Sequence, residues 1–413
     1  MIKTPKLRFS EFNNEWKEKK VEEIFDFYTT NSYSRDCLND TKGIVKNIHY
    51  GDIHMNFSTI LDAKNTHIPY INNEIDLSKI SKDCYCKEGD IIIADASEDY
   101  DDIGKTIEIK NVENQKIVSG LHTMLARDNK DITVNGYRGY MFLNNNVRKQ
   151  IKILAVGAKV LGISKTNINK VLVYIPEKKE QKKIANFFSL IDKKIQKQQE
   201  KVEALKDYKK GMMQKIFSQE IRFKDENGEE YPEWGNCKIG DCFLERSERG
   251  FSNFELISVS MEKGVCKRSE IEGKDNSSKD KSNYKLVKEN DIVYNSMRMW
   301  QGASGVSKYI GIVSPAYTVL KPKKNVYSDY FRYKFKTPDM INEFRKYSQG
   351  LTSDTWNLKY PQIKDIKIKL PVVQEQQKIA NFFSSIYKKI NKEKEKLDLL
   401  KEWKKGLLQQ MFV

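Results

Sequence analysis

The sequence predicts an α+β chain of two globular domains joined by two long helices, which form an antiparallel coiled coil with pseudo-two-fold symmetry. Three observations predict it. KIANFFS occurs at 183–189 and again at 378–384, inside 37-residue segments (181–217 and 376–412) that share 22 identities without a gap. Both copies place apolar residues on a heptad spacing. The remainder of each half mixes short apolar strands with a few helical stretches, and some of its strings also recur. The division is 1–175 for the first domain, 176–217 for the first helical segment, 218–370 for the second domain and 371–413 for the second helical segment.

In the first domain, IIIADA (91–96), KIVSGLHTMLA (116–126) and NKVLVYI (169–175) read as strands, and 137–154 reads as a helix. Lys116-Ile-Val-Ser119 before His122-Thr123 matches Gly311-Ile-Val-Ser314 before Tyr317-Thr318. KEGDIII at 87–93 echoes KENDIVY at 288–294, and LRF near Trp16 echoes IRF near Trp234.

The first helical segment carries Ile184, Phe188, Ile191, Ile195, Val202, Leu205, Met212 and Ile216 on a 4,3 spacing, the pattern of a coiled-coil seam. The second repeats it with Ile379, Phe383, Ile386, Ile390, Leu397, Leu400, Leu407 and Met411. Polar residues interrupt both seams at the same places, Gln198 and Glu393, then Lys209 and Lys404, which suits a pair that needs fixed register. Pro176 and Pro371 mark the helix starts, while Gly211 and Gly406 weaken the last turns and allow a bend or a close approach. The alternative is two surface helices, each packed on its own domain. A stripe this narrow with Lys on most other positions favours mutual packing, as an antiparallel rod about 55 Å long.

In the second domain, ELISVS (255–260), DIVYNS (291–296) and IVSPAYTVL (312–320) read as strands and 327–347 as helix. Its polar and aromatic loops, 294–305 and 348–360, hold the candidate contact residues. Arg298 and Gln301 suit paired hydrogen bonds to guanine and adenine edges, and Trp300 and Trp356 could pack on sugar or base. Ser353, Thr355 and Asn357 are base or phosphate candidates. The competing reading is that each Trp anchors its own loop. The corresponding loops of the first domain, 94–106 and 156–167, offer Lys159, Ser164, Lys165, Thr166 and Asn167, with Lys105 a weaker candidate. The acidic run Glu98 to Asp102 would repel phosphate unless it reads cytosine amino groups, so that loop is otherwise a lid or scaffold.

Composition narrows the function. The net charge of +16 favours an anionic partner such as nucleic acid, and the two repeated segments hold eleven of those charges. A Lys-rich helix face is otherwise simply solvated, tracks phosphate or docks acidic protein surfaces. No apolar run approaches a membrane span and the start MIKTPKLRFSEF has no hydrophobic signal region, so a cytoplasmic protein without membrane attachment is expected. The six cysteines read as buried free thiols, and His49 and His54 lack a second ligand pair at zinc spacing, so no metal is expected. Gly104-Lys105-Thr106 imitates the end of a P-loop but lacks its first glycine, with Asp99 in that place. A nuclease-like reading of Glu108-Ile-Lys110 finds no counterpart at 309–311. The chain reads as a reader of DNA; the rivals are a stand-alone nuclease or methyltransferase and a coiled-coil scaffold with no DNA role.

The duplicated KIANFF helices, each preceded by a Pro and an acidic-Gln step (Glu180-Gln181, Glu375-Gln376), together with GIVSPAYTVLKP and NSMRMWQG, resemble the specificity subunit of type I restriction-modification systems across essentially the whole chain. That resemblance implies two target recognition domains on an antiparallel helical spacer, each reading one half of a split site in double-stranded DNA. The target would be asymmetric because the domains differ while the helices do not. It also implies no catalysis in this chain. Two modification (methyltransferase) subunits would dock around the spacer, and two restriction subunits would join in the full complex. No cofactor is implied for the chain itself: S-adenosylmethionine, ATP and Mg belong to those partners.

Overall fold

The structure is a computed structural model that describes residues 4–413 apart from 79, 252, 262–263, 272–274, 276 and 354. Two compact units divide it, Met1–Gln199 with Glu395–Val413 and Glu200–Lys394. Each unit combines α and β structure, and each contains part of both long helices, Lys178–Phe217 and Val373–Met411.

Unit one is built on a five-stranded sheet in the spatial order Asp26–Tyr28, Thr123–Arg127, Ile91–Ala94, Thr106–Lys110, Ile60–Asp62. Ile91–Ala94 is buried throughout, as its unbroken apolar run demands of a strand covered on both faces. A smaller sheet contains Ile117–Ser119, Lys46–Ile48, Tyr70–Ile71 and Leu38–Asn39. The run 116–126, expected as one strand, is two: Ile117–Ser119 and Thr123–Arg127 lie in different sheets. The chain turns between them with His122 at φ +53°, a left-handed conformation that side chains other than glycine's rarely take. The helix expected over 137–154 likewise divides into Arg138–Leu143 and Asn145–Leu154 where the Asn144 side chain caps the second piece.

Unit two has a four-stranded sheet in the order Phe243–Glu245, Tyr317–Pro322, Ile292–Asn295, Ser304–Val306, and two helices, Ser328–Lys334 and Pro338–Tyr347, from the predicted 327–347 stretch. Pro338 and the Thr337 cap mark the second start. Here too the run 312–320 is split, into Gly311–Val313 and Tyr317–Pro322.

The recurrent strings have structural reasons. Asp90 and Asp291, the acids of KEGD and KEND, are buried and accept from the backbone N–H of Lys87 and Lys288, closing equivalent turns. Each also pairs with an arginine, Arg127 at 2.7 Å and Arg246 at 2.6 Å. The turn residue before each aspartate, Gly89 and Asn290, has positive φ. The acidic-Gln step fastens each long helix to its unit. Gln181 donates to the carbonyl oxygens of Pro176 and Ile132 and accepts from the Val134 N–H. Gln376 donates to Pro371 and Asn325 and accepts from Tyr327.

Within each unit the two helix segments run antiparallel. In unit one Asp192 pairs with Lys404 at 2.5 Å and Phe188 meets Phe412, so number rises along one segment as it falls along the other. In unit two Lys201 pairs with Glu393 at 3.1 Å and Phe217 stacks on Phe383, in the same sense. All sixteen seam positions from Ile184 to Met411 are buried or half-buried. Ile184, Phe188 and Ile191 share the unit-one core with Leu407 and Met411, while Ile379, Phe383, Ile386 and Ile390 share the unit-two core with Leu205, Met212 and Ile216. The polar interruptions are satisfied in place. Lys404 lies over the Tyr140 ring in unit one, and Lys209 over Tyr333 and Tyr387 in unit two.

The glycines and cysteines correct two expectations. A Cβ at Gly211 or Gly406 would meet nothing within 4 Å and both helices continue through, so neither glycine serves a close approach within the chain. The six cysteines are thiols outside any disulfide, but only Cys86, Cys242 and Cys266 are buried; Cys37 and Cys84 end short 3-10 turns, Cys237 lies in the strand Gly235–Lys238, and these three are partly exposed.

Candidate nucleic-acid interface

In unit one, three separated segments converge on a cleft of about 580 Å³. The first passes through Asp95, between the strands Ile91–Ala94 and Ala96–Ser97. The second is the His122 turn. The third is a hairpin closed by the Val156–Gly162 bridge and followed by the helix Lys165–Asn169. Val156 and Val160 at the hairpin are 75% and 55% exposed and form an apolar lip on the cleft. Asp95 is pinned by its backbone, its N–H donating to the His122 carbonyl and its carbonyl accepting from Ile163. His122 Nδ1 lies 3.2 Å from its carboxylate. Burial raises the pKa of Asp95, and His122 works against the rise. The imidazole of His122 stands edge-on to Tyr50 at 5.2 Å.

The sequence-predicted residues of unit one fall around this cleft unequally. Ser164 and Asn167 line it, with the Ser164 hydroxyl capping the helix and Asn167 Nδ2 donating to the Leu154 carbonyl. Lys159 and Thr166 are exposed on the hairpin and the helix, and the Lys165 ammonium lies over the Phe27 ring. Lys105 turns inward, its Nζ donating to the His54 carbonyl at 2.8 Å beside Asp102. The acidic loop is tied down by Arg148, which donates to the carbonyls of Asp101, Ile103 and Gly104. His49 caps the helix Tyr50–Met55, and His54 Nε2 meets the Ala96 carbonyl. Glu108 is buried and accepts from the N–H groups of Gly136 and Gly139, which explains its place in a strand without any nuclease role.

In unit two the predicted loops meet. Trp300 and Trp356 pack edge to face at 5.3 Å, with the Arg345 guanidinium over Trp300 and Trp300 Nε1 donating to the Met297 carbonyl. The two indoles therefore hold two loops together. Arg298, Gln301, Ser353 and Thr355 are exposed beside them. The Thr355 hydroxyl bonds the Thr352 carbonyl, and Asn357 closes the hairpin by a bridge to Gln349. The Asn357 Oδ1 is buried without a partner among the described residues. Leu351 at the hairpin tip is fully exposed and stands at the position matching Val156 under the 195-residue offset between 183 and 378.

Sequence reasoning missed Asp95 and His122. Their signal was faint: an aspartate at a strand end, and one histidine where the other half has Tyr317.

Two units on one plan, each with a pair of loops that differ in sequence on a repeated helical mount, define a modular recognition protein. The family model of the type I restriction modification DNA specificity domain matches residues 13–207 and 232–402, and the chain belongs to that family. A protein of Methanocaldococcus jannaschii named for the specificity subunit of the type I restriction enzyme MjaX is 29% identical over 161 residues; the match spans 37% of this chain and 37% of that relative. The crystal structure of a type I restriction-modification S subunit from M. genitalium aligns over 99% of both chains with a TM-score of 0.55 at 14% identity. A chain from a structural study of complex assembly and conformational transition in the type I R-M system aligns over 96% of this chain and 97% of its own, with a TM-score of 0.56 at 12% identity. These two likenesses establish the fold.

Proposed function

We propose that the chain reads DNA sequence for separate catalytic subunits and performs no catalysis itself. Each unit's loop cluster contacts one half of a bipartite, asymmetric duplex site. The observation that carries this reading is the combination of family membership with a doubled helical mount that carries two diverged globular parts. Helical segments that share 22 of 37 aligned residues offer like surfaces to like partners, which suits two copies of a modification subunit and, in the full complex, two restriction subunits. S-adenosylmethionine, ATP and Mg are held by those partners and not by this chain, and the assembly works in the cytoplasm. Among the described residues no helix is long and apolar enough to cross a membrane.

The test is DNA binding by the chain with and without its modification subunit, on duplexes that contain or lack the site, between about 50 and 200 mM salt. Sequence-selective binding that weakens steeply with salt supports the reading. Methyl transfer or cleavage by the purified chain alone would contradict it.

A further inference from the structure

We infer that Asp95 is a specificity-determining residue of unit one, its carboxylate accepting a hydrogen bond from the N4 amino group of a cytosine in the half-site this unit reads. The inference rests on the DNA-reading function proposed above and names one of its contacts.

The argument begins with a mismatch of charge. A cleft that admits a polyanion should not present a carboxylate, because phosphate is repelled by it. Asp95 nevertheless lines the cleft beside Ser164 and Asn167, with about a third of its side chain exposed. A carboxylate belongs in such a place when it faces a base edge, where amino groups are the donors. Two bases offer one in the major groove. Adenine carries its N6 amino beside the N7 acceptor, which would oppose the second carboxylate oxygen. Cytosine carries its N4 amino beside a C–H and has no such conflict.

The residue is also held for the task. Its N–H and carbonyl are both bound, to His122 and Ile163, so the backbone is fixed on either side of the carboxylate. His122 orients the carboxylate through Nδ1, from a backbone conformation that is costly for a histidine. Strain of that kind persists where the surroundings over-determine it. Among the described residues His122 is the one protein donor on this carboxylate, which leaves acceptor capacity on a side chain that lines the cleft. The exposed apolar lip of Val156 and Val160 gives the wall against which a base edge can lie. His122 is thus a positioning residue, and Asp95 the reading one.

The experiment reconstitutes the chain with its modification subunit and selects bound sequences from randomised duplexes, for wild type, Asp95→Asn and His122→Asn. Wild type should yield a bipartite site with cytosine at one position of one half. Asp95→Asn should lose about tenfold or more of its discrimination for that cytosine and shift toward adenine, which an amide side chain can bond at N6 and N7 together. The other half-site should be unchanged, which also reports that the variant is folded. His122→Asn tolerates the left-handed backbone and should weaken discrimination at the same base pair only, with cytosine still preferred. An Asp95→Asn site identical to wild type overturns the assignment, as does loss of preference in both halves at once, or an unchanged site for both variants. A wild-type complex without any sequence preference would instead overturn the DNA-reading function itself.

Discussion

Arg222 grips Glu375 with two nitrogens, Nε at 3.2 Å and Nη2 at 2.8 Å, at the first turn of the second long helix. Trp234 Nε1 donates to the same carboxylate, which is almost wholly buried. Arg8 makes the matching two-point bond to Glu180 in unit one, at 2.8 and 2.7 Å. The LRF and IRF strings thus recur because each arginine ties the segment entering its globular part to a long-helix N-terminus, where a carboxylate is also favoured by the helix dipole.

Removing Arg222 leaves a buried carboxylate with too few donors. Arg222→Ala should destabilise unit two by about 3–5 kcal/mol, the usual cost of orphaning one partner of a buried pair. Thermal unfolding measures it. A loss below about 1 kcal/mol would place the pair among ordinary surface bridges.

Glu108 makes stability depend on pH. Burial pushes its carboxyl up to about 7, against the opposing pull of the Gly139 and Gly136 N–H groups and Arg138. Between the ordinary carboxyl range and pH 7 the folded chain holds a proton that the unfolded chain has released. Stability from this group is therefore full below that range, falls as pH rises through it, and is flat above about 7, the change amounting to roughly 3 kcal/mol. Glu108→Gln keeps an acceptor without the charge and should remove this slope, which denaturant unfolding at pH 5 and pH 8 can compare with wild type.

Phe412 closes the unit-one core. It stands edge-on to Trp16 at 6.0 Å, stacks on Tyr137 at 5.8 Å and lies against Phe188. Phe412→Ala should cost about 3–5 kcal/mol, read as a lowered unfolding midpoint. An unchanged midpoint would mean that the end of the second helix does not hold unit one together.

The parts of the fold that were legible in the sequence are those whose cause is local. Heptad spacing from Ile184 to Ile216 and from Ile379 to Met411, and the prolines before each helix, announce themselves within a few residues. The meaning of Gln181 and Gln376 was not legible, because their partners, such as Ile132 and Asn325, lie about fifty residues away. The break inside 116–126 was hidden for another reason: His122 takes a conformation that its residue type does not signal. The candidate interface was half legible. Loops rich in Trp, Arg and Asn advertise themselves, yet only folding brings Asp95, His122 and the 156–167 hairpin to one cleft. Composition likewise could not tell that Lys105 turns inward to His54.

Mapping methylated bases in cells carrying the complete system, once with the wild-type chain and once with residues 1–175 replaced by a different recognition domain, tests the central claim most directly. Two separate half-sites, of which the replacement changes only one, is the predicted result. A single undivided target, or a replacement that alters both halves together, would contradict the claim that each unit reads its own half.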